Sequence, residues 1–85
     1  MDVTLKYFAW VRERVGTAEE QVTLPITVTT VGDVIKWLKE RGDGYAYAFE
    51  REGVIRAAVD HVHARHDASL RGAREIAFFP PVTGG

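Results

Sequence analysis

The sequence has no cysteine. That excludes a disulfide framework, a Cys-x-x-Cys metal knuckle and a thiol nucleophile. Any sulfur chemistry has to use sulfur brought from outside the chain. A cysteine-free sequence also fits a reducing compartment. No apolar run approaches the roughly 18 residues a membrane-spanning helix needs, and no basic segment followed by an apolar stretch opens the chain. A cytoplasmic protein that binds no membrane is the expectation. Runs of like charge are missing too. The 11 basic and 12 acidic residues leave a formal net charge of −1. A balanced surface of this kind creates no broad field for nucleic acid, so Arg12, Arg14, Arg71 and Arg74 are not read as a nucleic-acid patch. Neither GxxxxGK[ST] nor GxGxxG occurs, so the chain offers no nucleotide-binding loop of its own.

What is present is a chain of 85 residues, 46% of them apolar and 27% charged. It reads as one domain over residues 1–85. A domain of this size hides only about two-thirds of its unfolded surface. It can build one thin core but no deep pocket. That points to a carrier or binding module rather than a self-sufficient enzyme.

Asp2 to Phe8 alternates, with Val3, Leu5 and Tyr7 on one side and Thr4, Lys6 and Phe8 on the other, which predicts a strand with one face in the core. Ala9 to Val15 has helical spacing and ends at Gly16, a left-handed cap. Glu20 to Leu24 is a second strand, ended by Pro25. Thr30 to Arg41 is the clearest helix. Thr30 caps it with Asp33 three residues on, and Val31, Val34, Ile35 and Leu38 form its buried stripe. Gly42 is expected to close it, with Asp43-Gly44 as loop. Tyr45 to Glu50 suits either a strand or one or two helical turns. Ile55 to Val59 reads as a short apolar strand, Asp60-His61 as a turn and Val62 as the start of a return strand. Asp67 to Leu70 is a turn whose Leu70 plugs the core, and Arg74 to Phe79 is the last strand.

Short strands around one main helix predict an α+β fold, with a mixed sheet packed on that helix. The first and last strands, both apolar, are expected side by side in the middle of the sheet. This is the β-grasp (ubiquitin-like) arrangement.

The end of the chain carries the chemistry. Phe79 is followed by Pro80, Pro81, Val82, Thr83, Gly84 and Gly85. Proline cannot donate a ladder hydrogen bond and fixes its own φ, and residues before proline are held extended. Residues 80–85 are therefore expected to leave the sheet as a stiff protruding arm. Its last two residues lack side chains, so they can thread a narrow channel and accept whatever backbone angles it imposes. The reactive group is then the α-carboxylate of Gly85, a poor acyl donor until it is adenylated. The plainer reading is a frayed end.

From Glu75 to Gly85 the tail resembles that of the small, sulfur-carrying subunit of molybdopterin synthase. Tyr7-Phe8-Ala9 with Val11-Arg12-Glu13 and Val15-Gly16-Thr17, Thr30-Val31, Ala57-Ala58-Val59, and Asp67 with Leu70 also fit that family. The resemblance implies that an ATP-using relative of the ubiquitin-activating enzymes adenylates Gly85 and that sulfur then replaces one oxygen. It further implies that the tail enters the large synthase subunit and donates sulfur to a pyranopterin precursor. Two donations build the dithiolene that holds molybdenum. The assembly implied is a heterotetramer of two small and two large chains. The small chain acts as co-substrate and supplies no general acid or base. It is expected to bind no cofactor and no metal, ATP being used by the activating partner.

Phe8 and Phe79 match family positions that form an apolar docking surface; the alternative is two core aromatics on opposite sheet faces. Position 63, often apolar in the family and part of that surface, is His63 here. Gly72-Ala73-Arg74 stands where the family usually has an Asp-Gly-Asp turn. Other acceptors for the sulfur (thiamine, tRNA or cysteine synthesis) and conjugation to protein lysines share the same Gly-Gly logic. The HxHxxH string of His61, His63 and His66 reads as surface histidines rather than a zinc site, because no fourth ligand is evident. Asp33 and Glu40, and Glu50 and Glu52, read as solvated carboxylates. Ser69 lies in a turn without an oxyanion site.

Overall fold

In a computed structural model of the chain, which describes residues 1–81, the alternation of the first segment becomes strand β1, Asp2–Tyr7. Val3, Leu5 and Tyr7 are buried. Helix α1, Ala9–Val15, ends at Gly16, whose φ of 95° is the left-handed value anticipated for a glycine cap. Strand β2 is Glu19–Thr23, helix α2 is Val31–Lys39 and helix α3 is Asp43–Ala48. A 3-10 turn at Glu52–Val54 leads into β3, Arg56–Val59, followed by β4, Val62–Ala64, and β5, Glu75–Phe79.

The five strands form one sheet in the order β2-β1-β5-β3-β4. β1 and β5 are central and parallel, with Leu5 beside Ile76 and Tyr7 beside Phe78. The other pairings are antiparallel. This is the mixed sheet that the order of elements predicts.

The core lies between one face of this sheet and α2. Val31, Val34, Ile35 and Leu38 pack on Leu5, Ile76 and Phe78, all of them buried. Phe78 meets Phe49 edge-on at 5.2 Å and stacks on Tyr7 at 6.4 Å between ring centroids. Leu70 fills the core from the loop before β5, as expected. α2 starts at a full capping box. The Thr30 hydroxyl accepts from the Asp33 amide at 3.1 Å, and the Asp33 carboxylate accepts from the Thr30 amide at 3.2 Å.

Two sequence expectations need correction. Gly42 does not close α2, whose C-cap is Glu40; it is the residue before α3. Asp43-Gly44 is not loop but the first turn of α3, and the ambiguous stretch from Tyr45 is helical. The reason is tertiary. α3 lies against α1, and Gly44 sits where a Cβ would come within 2.8 Å of the Arg14 carbonyl oxygen. Helix packing over the open end of the sheet overrides the local turn signal.

One polar cluster ties these elements together. Glu20 accepts from the hydroxyls of Tyr7 at 2.8 Å and Tyr45 at 2.7 Å, and from the Arg41 guanidinium at 3.0 Å. Burial pushes the Glu20 carboxyl up, but the three hydrogen bonds and the Arg41 charge outweigh it and hold it below the ordinary range. Burial, with the Glu20 hydrogen bond second, raises the Tyr7 hydroxyl far above its usual value, so it stays a donor.

Two outcomes follow for stability. Gly44→Ala forces α1 and α3 apart and should lower stability by about 1–3 kcal/mol in urea unfolding, as overpacking does. Glu20 titrates lower in the folded chain than in the unfolded one. Its contribution is therefore complete above the unfolded carboxyl value of about 4.3 and is lost as pH falls through the folded value. The stability gap between the native chain and Glu20→Gln should be constant near neutrality and shrink in acid, as measured by urea melts across pH.

Candidate functional site

Helices α1, α2 and α3 all contribute to the core on one side of the sheet, and among the described residues no helix covers the other face. Its make-up follows from the register. Tyr7 points into the core, so the next residue, Phe8, points outward; its φ of −128° and ψ of 154° continue the extended line of β1. Its amide donates to the Phe78 carbonyl at 3.1 Å, which places Phe8 beside Phe79. Phe79 pairs with Arg56, and Ala77 pairs with both Lys6 and Ala58. Ala58 in turn pairs with His63. Across the tail end of this face the order is Phe8, Phe79, Arg56. One step back it is Lys6, Ala77, Ala58, His63.

Phe8 is 47% exposed, whereas Phe78, next to Phe79 in sequence, is fully buried. Phe8 and Phe79 therefore share the outer face, and the alternative of core aromatics on opposite faces does not hold. His63 is exposed and sets its ring edge-on against Phe79, with centroids 5.5 Å apart. It reaches across Ala58, whose small side chain leaves the room. Directly after Phe8, Ala9 has a φ of 52°. An alanine holds that left-handed value at a cost of about 1–2 kcal/mol. This turn swings the chain off the sheet and leaves Phe8 uncovered.

Pro80 and Pro81 follow β5 half-buried and outside any strand. The last ladder partners are Phe79 and Arg56. Val82, Thr83, Gly84 and Gly85 lie outside the described residues.

The loop into β5 has its own anchor. Asp60 and His61 form the β3–β4 turn with φ values of 48° and 70°. The Asp60 carboxylate accepts from the amides of Arg74 and Glu75, both at 2.9 Å. Those backbone hydrogen bonds hold its carboxyl below the ordinary range. Gly72 takes a φ of 77° and Ala73 is buried. The Gly72-Ala73-Arg74 turn thus carries no acid of its own and borrows one from the hairpin. Sequence spacing gave no sign of this role for Asp60.

The histidine string is dispersed. His61 is in the turn, with Nδ1 3.6 Å from Glu75; His63 lies against Phe79; His66 holds Nε2 2.8 Å from the Ile55 carbonyl oxygen. Among the described residues no three His, Cys, Asp or Glu side chains are grouped to hold a metal ion. Of the suggested arginines, Arg14 is stacked between Trp10 and Tyr47, at 4.5 and 4.0 Å from the ring centroids. Asp33 is the third helical residue of the α2 capping box, while Glu50 and Glu52 face Arg14 and Lys39. Ser69 Oγ accepts from the Arg71 amide.

The sequence matches the ThiS family over residues 5–85. It is 37% identical over 83 residues to the molybdopterin synthase sulfur carrier subunit of Escherichia coli K12, covering 98% of this chain and 99% of that one. The chain belongs to the ThiS family. A second relative, the molybdopterin synthase sulfur carrier subunit of Haemophilus influenzae, is 34% identical over 79 residues, covering 93% of this chain and 94% of that one. Among solved structures, SAMP1 from Haloferax volcanii superposes with a TM-score of 0.72 at 26% identity, with both chains fully covered. The small archaeal modifier protein 1 from Methanosarcina acetivorans gives 0.66 at 26%, over 99% of this chain and 96% of that one. The β-grasp fold and the kinship to ubiquitin-like sulfur carriers are thereby established for this ThiS-family chain.

The outer face and the core separate cleanly by mutation. Phe8→Ala should cost no more than about 1 kcal/mol, because about half of the residue is already in solvent. Phe78→Ala should cost about 3–5 kcal/mol. Urea denaturation of both variants checks the assignment of faces.

Proposed function

We propose that this chain is a sulfur carrier in molybdopterin synthesis and that the Gly85 carboxylate is its working group. The observation that carries the reading is the near full-length match to two molybdopterin synthase sulfur carrier subunits. An outer sheet face with an exposed Phe8 beside a half-buried Phe79, at the end where the chain leaves β5, supports it.

The chemistry runs in three steps. A partner adenylyltransferase joins the Gly85 carboxylate to the α-phosphate of ATP, and pyrophosphate leaves. Sulfur at the sulfide level then attacks the acyl carbon, AMP leaves, and Gly85 carries a thiocarboxylate. In the large synthase subunit that sulfur passes to the pyranopterin precursor, and the carboxylate returns once water has supplied its oxygen. The chain contributes delivery. Pro80 and Pro81 end the ladder, and Gly84 and Gly85, which lack side chains, suit entry to a narrow channel. Phe8, Phe79 and His63 form the surface on which the receiving protein sits. An aromatic patch of this kind suits a partner that has an apolar recess. On this reading the chain works in the cytoplasm, where ATP is available to an activating enzyme, and has that enzyme and a large synthase subunit as partners.

A modifier role has a specific observation behind it, the superposition on small archaeal modifier protein 1. It differs in the second step, where a lysine amine rather than sulfur attacks the activated acyl group.

Incubation with the activating enzyme, ATP and a sulfur donor should raise the intact mass by the difference between a sulfur and an oxygen atom. Deleting Gly85 should abolish the gain without altering the unfolding curve. No gain with any activating partner would remove the sulfur-carrier reading, and lysine adducts that vanish with Gly85 would put the modifier reading in its place.

A further inference from the structure

Charge is unevenly spread over the outer face. On the β2 side, Lys6 is neutralised by Glu75 at 3.1 Å and has Glu19 beside it in the register. On the β3–β4 side, a shallow hollow opens where the two strands begin to part. Arg56, His63, Arg65 and His66 line it, and no lining residue is acidic. Among the described residues Arg56 has no carboxylate within ion-pair distance. Arg65 faces Asp67 at 3.6 Å, but both side chains are largely in solvent, and such a pair is worth only about 0–1 kcal/mol. Its guanidinium is available to a better partner. His66 is tied to the Ile55 carbonyl, so the free donors are those of Arg56, Arg65 and His63.

The position of the hollow matters as much as its charge. Arg56 pairs with Phe79, the last ladder residue before the tail, and the His63 ring touches Phe79. A protein that covers Phe8 and Phe79 must also cover Arg56. Burying an unpaired guanidinium is costly unless a carboxylate meets it, and arginine and carboxylate match as forked, two-hydrogen-bond pairs.

We propose that Arg56, Arg65 and His63 form a carboxylate-binding site, and that its occupant is an acidic segment of the protein that docks on the Phe8–Phe79 face to receive the tail. This rests on the docking reading given above. It makes the basic edge a determinant of which partner is accepted: one whose apolar recess is bordered by Asp or Glu on the β3–β4 side.

The test is equilibrium binding of the full chain to the large synthase subunit of the same genome at low and high salt. The variants compared are Phe79→Ala, the double variant Arg56→Ser with Arg65→Ser, and Lys36→Ser on the solvent side of α2. Both arginines are exposed, so the double variant should keep the native unfolding curve. The expected result is that it binds about tenfold or more weakly at low salt and loses most of the salt dependence, while Lys36→Ser binds normally. Phe79→Ala should also weaken binding but keep the salt dependence. Weakening by Phe79→Ala with native affinity and salt response in the double arginine variant would overturn the carboxylate site and leave the docking face standing. Native affinity in all variants would overturn the docking reading and the site with it.

Discussion

The parallel pairing of β1 with β5 is the constraint from which the rest of the molecule follows. It joins the two ends of the chain at the centre of the sheet, where each strand has neighbours on both sides. Because the strands run the same way, the outward residue after Tyr7 and the outward residue after Phe78 fall at the same level. That puts Phe8 and Phe79 side by side at one end of one face. The same pairing sends the core members Leu5, Tyr7, Ile76 and Phe78 to the opposite face, against α2. A one-residue slip would exchange the two sets, burying Phe79 and exposing Phe78. The aromatic contacts among Tyr7, Phe78 and Phe49 and the stripe of α2 make that slip costly.

Around this axis the polar groups act as fasteners. Glu20 collects donors from β1, from α3 and from Arg41 in the short link between α2 and α3, and so holds the helical layer against the sheet edge. Asp60 does the equivalent at the other end, capping the start of β5 from the β3–β4 turn. The donors each carboxylate accepts from hold both below the ordinary carboxylate range, so both stay ionised. With the start of β5 fixed by Asp60 and its end cut off by Pro80, the strand that precedes the tail is placed at both ends.

The geometry is suited to presenting a group to another protein. The rigid part is a sheet whose outer face offers two aromatic rings. The edge of that face is basic at Arg56 and Arg65 and neutralised at Lys6. Apolar area supplies attraction with little direction, whereas charge placed to one side favours one orientation of a partner. The function proposed above gains from such orientation, because a tilted docking would misdirect whatever the chain presents.

Much of this was legible in the residues themselves. The alternation of Val3, Leu5 and Tyr7, the stripe of Val31, Val34, Ile35 and Leu38, the Thr30–Asp33 cap, the Gly16 stop and the proline break depend on neighbours within a few positions, and local periodicity and backbone chemistry determine them. The residues resembling a sulfur-carrier tail were likewise readable as a string. What the string could not decide is anything that joins distant segments. Gly42 to Gly44 carries a loop signal that packing of α3 on α1 overrules. Asp60 serves a turn some 14 residues away, and Arg56 becomes a neighbour of Phe79 only through the β3–β5 register. Sequence determined which residues could be inner or outer within each element, because that is a matter of period. The tertiary structure alone decided which outer residues meet, because register between strands is set by the packing of the whole core.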